Sequence, residues 1–209
     1  MGRMMILNGS PRASKSNSRE FAQLLKRSYP GATLEYNLAS QNHRDICSAL
    51  ESCSNLVFVF PLYVDCLPCC MLDFLSCLEK SPLAHKPTVH LIVNCGFLEP
   101  RQNEVAIDML KLFCRKNGFP FGSSLSIGSG EAILQTPFAL FVKGAIQKLA
   151  HAISSGKTVT LSTRMPLSQK RYVQEAERYW LKVGGKNGLS AQQMRSTTIE
   201  SKGASSQKA

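Results

Sequence analysis

Short apolar runs alternate with helical patterns along most of this chain, each run stopping at a cluster of loop residues, and no other feature restricts the fold as much. Met4–Leu7 reads as a buried strand that ends at Asn8-Gly9-Ser10-Pro11, and Ser18–Tyr29 as a helix with Phe21, Leu24, Leu25 and Ser28 on one face. Ala32–Leu38 alternates as a second strand, and His43–Cys53 carries Ile46, Ala49, Leu50 and Cys53 at helical spacing. Leu56–Phe60 is a continuous β-branched and aromatic run, the pattern of a central strand buried on both faces. Helix Leu67–Leu78, strand Thr88–Val93, helix Val105–Cys114, strand Ser124–Ile127 and helix Phe138–Ile153 complete the series. Parallel strands need crossover helices, so five such units predict a doubly wound α/β fold with a five-stranded parallel sheet.

The length of 209 residues suits one such domain and leaves a remainder. Residues 1–160 are read as the sheet domain, 161–195 as a helical extension of it, and 196–209, rich in Ser, Lys and Gln, as a disordered tail. In the extension, Gln169–Val183 spaces Tyr172, Val173, Ala176, Tyr179, Trp180 and Val183 as an apolar stripe, with Gly184-Gly185 expected to end the helix. A stripe that apolar is expected to be buried, against its own core or a second subunit. The net charge of +11 is concentrated late: Lys143–Ala209 holds 12 Lys and Arg against 3 Asp and Glu. Such a field favours anionic ligands, but no nucleic-acid motif or aromatic-basic interleave accompanies it, so nucleic acid is not the expected partner.

In open parallel sheets the ligand lies at the carboxyl ends of the strands, where the order reverses. The loop from Asn8 to Ser18 joins a strand to a helix start, a natural anion site. Gly9 permits a turn, Ser10, Ser16, Asn17 and Ser18 offer hydroxyl and amide donors, and Arg12 adds charge. The loop contains neither a Walker-type phosphate loop nor the Gly-x-Gly-x-x-Gly dinucleotide pattern. Its plainest alternative role is a helix cap, with Asn17 as the capping residue and Glu20 three places on.

Taken with two further segments, the loop carries a resemblance. Gly9-Ser10-Pro11-Arg12 followed by Ser16-Asn17-Ser18 resembles the phosphate loop of the flavodoxin-like NAD(P)H-dependent FMN reductases, a family that includes NAD(P)H:quinone oxidoreductases. Pro61-Leu62-Tyr63-Val64-Asp65-Cys66-Leu67-Pro68 is similar to that family's flavin-contacting Pro-Leu-Tyr-Val-Asp-Ser-Leu-Pro, with Cys66 in place of Ser, and Cys69-Cys70 follow as a further departure. Asn94-Cys95-Gly96-Phe97 follows the fourth strand, where the family again lines the flavin. The resemblance implies strand order 2-1-3-4-5, FMN as cofactor, NADH or NADPH as co-substrate, and a homodimer or larger assembly. The implied cofactor-binding residues are Ser10, Arg12, Ser16, Asn17, Ser18, Pro61, Leu62, Tyr63, Val64, Asp65, Asn94, Cys95, Gly96 and Phe97. The implied activity is hydride transfer through FMN to a quinone-like, azo or nitro acceptor. The N–H groups of Leu62 to Val64 and of Gly96 suit the pyrimidine edge of the ring, and Tyr63 suits a ring face. Hydride transfer asks the protein to position rather than to supply an acid-base pair, so no catalytic side chain is expected. The alternatives are a flavodoxin-type electron carrier, which the basic charge disfavours, and a basic binding module on the same fold.

Cys66-x-x-Cys69-Cys70-x6-Cys77 departs from cluster spacing, and Cys70 and Cys77 share a helical face with Phe74, so they are expected as small core residues and no metal is expected. His43, His85, His90 and His151 lack ligand spacing. With no secretion signal, myristoylation motif or membrane-length apolar run, the protein is expected in the cytoplasm, away from the membrane, with its eight cysteines reduced.

Overall fold

The structure is a computed structural model that describes residues 2–196. The chain divides into two compact units, Met1–Pro166 and Leu167 onward. In the first, β1 (Met4–Asn8), β2 (Thr33–Asn37), β3 (Asn55–Pro61), β4 (Thr88–Asn94), β5 (Phe121–Ile127) and β6 (Thr160–Thr163) form one sheet in the order β2-β1-β3-β4-β5-β6. Every pairing is parallel. The doubly wound fold and the order 2-1-3-4-5 are as expected, but the sheet has six strands and not five. The missed strand is short and half-exposed, with only Leu161 apolar in its four residues, too little alternation to signal an edge strand.

Successive side chains of a strand face opposite ways, and the burial follows. Met5, Leu7, Leu56, Phe58, Phe60, Val89, Leu91 and Val93 form one core with α2 (His43–Leu50), α3 (Cys69–Glu79) and α4 (Glu104–Asn117). On the remaining side α1 (Asn17–Ser28) packs with α5 (Ala139–Ser154) and on β1 and β3. The helix expected from Leu67 starts at Cys69, with Pro68 as its N-cap.

A bulge interrupts the β4–β5 ladder where Gly122 and Ser123 oppose His90. The Ser123 N–H, displaced from the ladder, donates to His90 Nδ1 at 2.9 Å, so the ring proton sits on Nε2 and is shared with Asn55 Oδ1 at 3.1 Å. A Cβ on Gly122 would lie 2.6 Å from His90 Nδ1, so glycine makes room for the ring. Burial pushes the His90 pKa from 6.5 down to about 4.

In the second unit α6 (Gln169–Lys186) is followed by α7 (Ala191–Ser196). The glycines expected to stop α6 lie inside it: a Cβ on Gly184 would overlap the Met194 sulfur of α7, so close helix approach and not termination explains the glycine. Within the single chain Val173, Tyr179 and Trp180 of the apolar stripe are exposed. Apart from Ser196, which closes α7, the expected tail 196–209 lies outside the described residues. Among the described residues no helix is long and apolar enough to cross a membrane.

Candidate functional site

The strand order reverses between β1 and β3, so the loops leaving their carboxyl ends diverge and open a cleft there. A cavity of about 210 Å³ occupies it, lined by Ser10, Arg12, Ser16, Asn17 and Ser18 from the first loop, Pro61, Leu62 and Tyr63 after β3, Asn94, Cys95 and Gly96 after β4, and Glu131 after β5. Three expected site residues fall outside this lining: Val64, Asp65 and Phe97.

Asn8, at the end of β1 and fully buried, organises the first loop. Its Nδ2 donates to Ala13 O at 3.0 Å and to Asn37 Oδ1 at 2.9 Å, and its Oδ1 accepts from Ser10 N at 3.0 Å. Gly9 is required by packing and not by a turn, because a Cβ there would lie 2.6 Å from the Met71 side chain. The left-handed residue of the loop is instead Ala13, at φ 43°.

The helix cap is Ser16, not Asn17. The Ser16 hydroxyl accepts from Arg19 N at 3.2 Å and donates to Ala13 O at 2.7 Å. Asn17 is drawn elsewhere, its amide donating to Gly130 O at 3.0 Å and Glu131 O at 2.8 Å. The Ser18 hydroxyl accepts from Asn94 Nδ2 at 3.1 Å. Several side chains expected to face an anion therefore hold the loops together. Left for an anion are the Asn17 and Ser18 N–H groups, to which helix geometry supplies no acceptor, and the exposed Arg12 of the same lining.

The loop after β3 departs from its expected role in the same way. Leu62 N–H donates to Asn94 O at 2.7 Å and Tyr63 N–H to Cys66 O at 3.3 Å, so neither is free for a ring edge. Tyr63 to Cys66 form a tight turn with Val64 at φ 49° and Asp65 at φ 54°. Both φ values suit a type I′ turn, which favours Asn and Gly. Val64 is a β-branched residue in the left-handed region and 97% exposed, so it is strained with nothing packed in return. Val64→Asn is expected to raise stability by about 1 kcal/mol, measured as a higher urea midpoint at unchanged m-value. No change would show that the turn carries no strain.

Asn94 ties the strands together, its Nδ2 also donating to Phe60 O at 2.9 Å. Gly130 N–H donates to Cys95 O at 2.8 Å, so the loop after β5 closes this side of the cleft. That loop was missed in the sequence, although Gly128-Ser129-Gly130-Glu131 at a strand end is the same kind of signal that marked the others. A Cβ on Gly96 would meet only Glu131 Oε2, at 3.8 Å, so the space in front of Gly96 is open.

The cysteines divide by environment. Cys95 is buried at the cleft and its thiol is pushed up by burial, as is that of Cys70, whose Sγ donates to Gly9 O at 3.3 Å. Cys66 Sγ lies 3.8 Å from Met109 Sδ. Cys70 and Cys77 are half-buried and Cys69 is exposed, so the core role expected for this group holds only in part. Cys47 and Cys114 lie in the core, and burial raises their pKa values to about 11 and about 12.

No protein-family model and no curated protein matches the chain in sequence. Solved structures match in fold. An FMN-dependent NADH-azoreductase from Bacillus anthracis str. Ames Ancestor, in complex with FMN, has a TM-score of 0.60 at 14% identity and covers 74% of this chain and 100% of its own. An NADPH-quinone reductase from P. pentosaceus has a TM-score of 0.56 at 16% identity, covering 72% and 98%. A flavodoxin from Streptococcus pneumonia TIGR4 has a TM-score of 0.55 at 14% identity, covering 74% and 99%. The chain thus has a flavodoxin-like fold.

Proposed function

We propose that the chain is a cytoplasmic FMN-dependent oxidoreductase that takes a hydride from NADH or NADPH and reduces a quinone-like, azo or nitro acceptor. The observation that carries this reading is the convergence of the loops after β1, β3 and β4 on one cleft at the switch point of the sheet. Matched solved structures include an azoreductase in complex with FMN and an NADPH-quinone reductase.

The cleft fits a flavin mononucleotide in kind. Its first-loop wall offers Arg12 and the first-turn N–H groups of α1 to a phosphate, and no side chain fills the space before Gly96. Tyr63, in the cavity lining and 41% exposed, offers apolar surface for a ring. FMN, when bound, supplies the hydride-accepting chemistry. The chain's own part is to hold and shield. Asn8 fixes the first loop, Asn94 and Ser18 lock it to the strand ends, and Asn17 anchors it to the loop after β5. No side chain is given a proton-transfer role. A volume of about 210 Å³ is below the roughly 300 Å³ at which pockets enclose a whole small ligand. We propose a homodimer or larger as the working form, with a second copy over the open side.

The test is rapid mixing of the FMN-loaded protein with NADH or NADPH without oxygen, followed by a quinone or azo dye. Loss and then return of the oxidised-flavin absorption is expected, with parallel-line steady-state kinetics. Bound FMN that neither nicotinamide reduces would leave an electron carrier.

A further inference from the structure

Helix α6 has two faces of opposite character. At 3.6 residues per turn, Tyr172, Val173, Ala176, Tyr179, Trp180 and Val183 fall within an arc of about 120° that contains no charged side chain. Val173 is 59% exposed, Tyr179 44% and Trp180 51%. The two acids of α6 are neutralised: Glu175 pairs with Arg178 at 2.8 Å, and Glu177 with Arg195 of α7 at 2.6 Å. Lys170, Arg171, Lys182 and Lys186 are in none of the ion pairs among the described residues.

These charges decide what covers the stripe. A second copy of the helix would bring like-charged flanks together with no carboxylates left to offset them. A nucleic-acid duplex would pair its backbone with the lysines and leave Val173 and Trp180 in water. An anionic lipid surface satisfies both faces at once: aromatic and aliphatic side chains enter the boundary between headgroups and acyl chains, and long basic side chains reach the phosphates beside them.

We propose that α6 is an interfacial helix that docks the protein on an anionic phospholipid surface through Val173, Tyr179 and Trp180, flanked by Lys182 and Lys186. The contact is peripheral and compatible with the absence of a spanning helix among the described residues. It does not rest on the flavin assignment.

The experiment mixes the full chain with phosphatidylcholine vesicles, with and without about one quarter phosphatidylserine. Expected are co-sedimentation with the anionic vesicles, at least about tenfold weaker with phosphatidylcholine alone and in high salt, and a blue shift of emission from Trp180, the single tryptophan. Lys182→Glu with Lys186→Glu should weaken binding at least about tenfold at unchanged melting temperature. Trp180→Ala, which keeps every charge, should also weaken it. No binding, equal binding to neutral vesicles, or full binding by the charge-reversed protein overturns the proposal. So does a fall in oligomer mass caused by Trp180→Ala, which would assign the stripe to a second copy. Salt-sensitive retention on polyglutamate that displaces the protein from vesicles without a tryptophan shift would assign the face to an acidic macromolecule instead.

Discussion

Replacing Gly96 by leucine is expected to reduce FMN affinity at least about a hundredfold, equivalent to about 3 kcal/mol, while leaving the fold intact. The backbone at Gly96 is not left-handed, and a Cβ there meets only Glu131 Oε2 at 3.8 Å. The added side chain therefore starts from a Cβ that displaces no neighbour and meets no left-handed strain. It enters a cavity of about 210 Å³ and takes up the room a ligand would use. Gly96→Ala should have a smaller effect in the same direction. Flavin fluorescence titration measures the affinity and thermal melting the fold; leucine with unchanged affinity and stability would place the flavin elsewhere.

Acid is expected to weaken the folded state through His90. The unfolded chain takes up a proton on this residue near its ordinary pKa of 6.5, whereas the folded chain resists until about 4 because burial disfavours the imidazolium. Between those values the unfolded state binds more protons, so stability falls as pH drops through 6.5 and the loss is complete near 4. The full effect is about 3 kcal/mol. Protonation also removes the acceptor that Ser123 N–H uses at the bulge, which couples the titration to the β4–β5 pairing. Denaturant melts across this range should show the slope, and His90→Gln, which retains an acceptor and a donor without titrating there, should flatten it. Equal slopes in both proteins would exclude His90 as the cause.

His90 also shows where sequence reading stops. It interrupts the apolar run Val89–Val93, and nothing local reveals that a bulge 33 residues further along the chain supplies its partner. The sheet was legible because each central strand is a short, nearly unbroken apolar run ended by loop residues, and the first, third and fourth of these ends brought the cleft into view. Edge strand β6 was not, since its alternation runs for only a few half-polar residues. Asn17, Ser16 and Leu62 line the cleft, but the donors expected to face a ligand are engaged by the protein itself. A residue type shows that a donor exists, whereas Gly130 O, Ala13 O and Asn94 O, which engage those donors, are brought close only by the fold. Glycine misled for a related reason. Gly9 and Gly184 signalled a turn and a helix end, but each answers a side chain that packs against it from another element, Met71 and Met194 respectively.

A crystal structure of the protein grown with FMN decides whether the cofactor occupies the cleft with its phosphate at the start of α1. Phosphate density is expected within hydrogen-bond distance of the Asn17 and Ser18 N–H groups and of Arg12, with the flavin running past Gly96. Flavin density at any other surface, or a phosphate held away from that helix start, would contradict this placement.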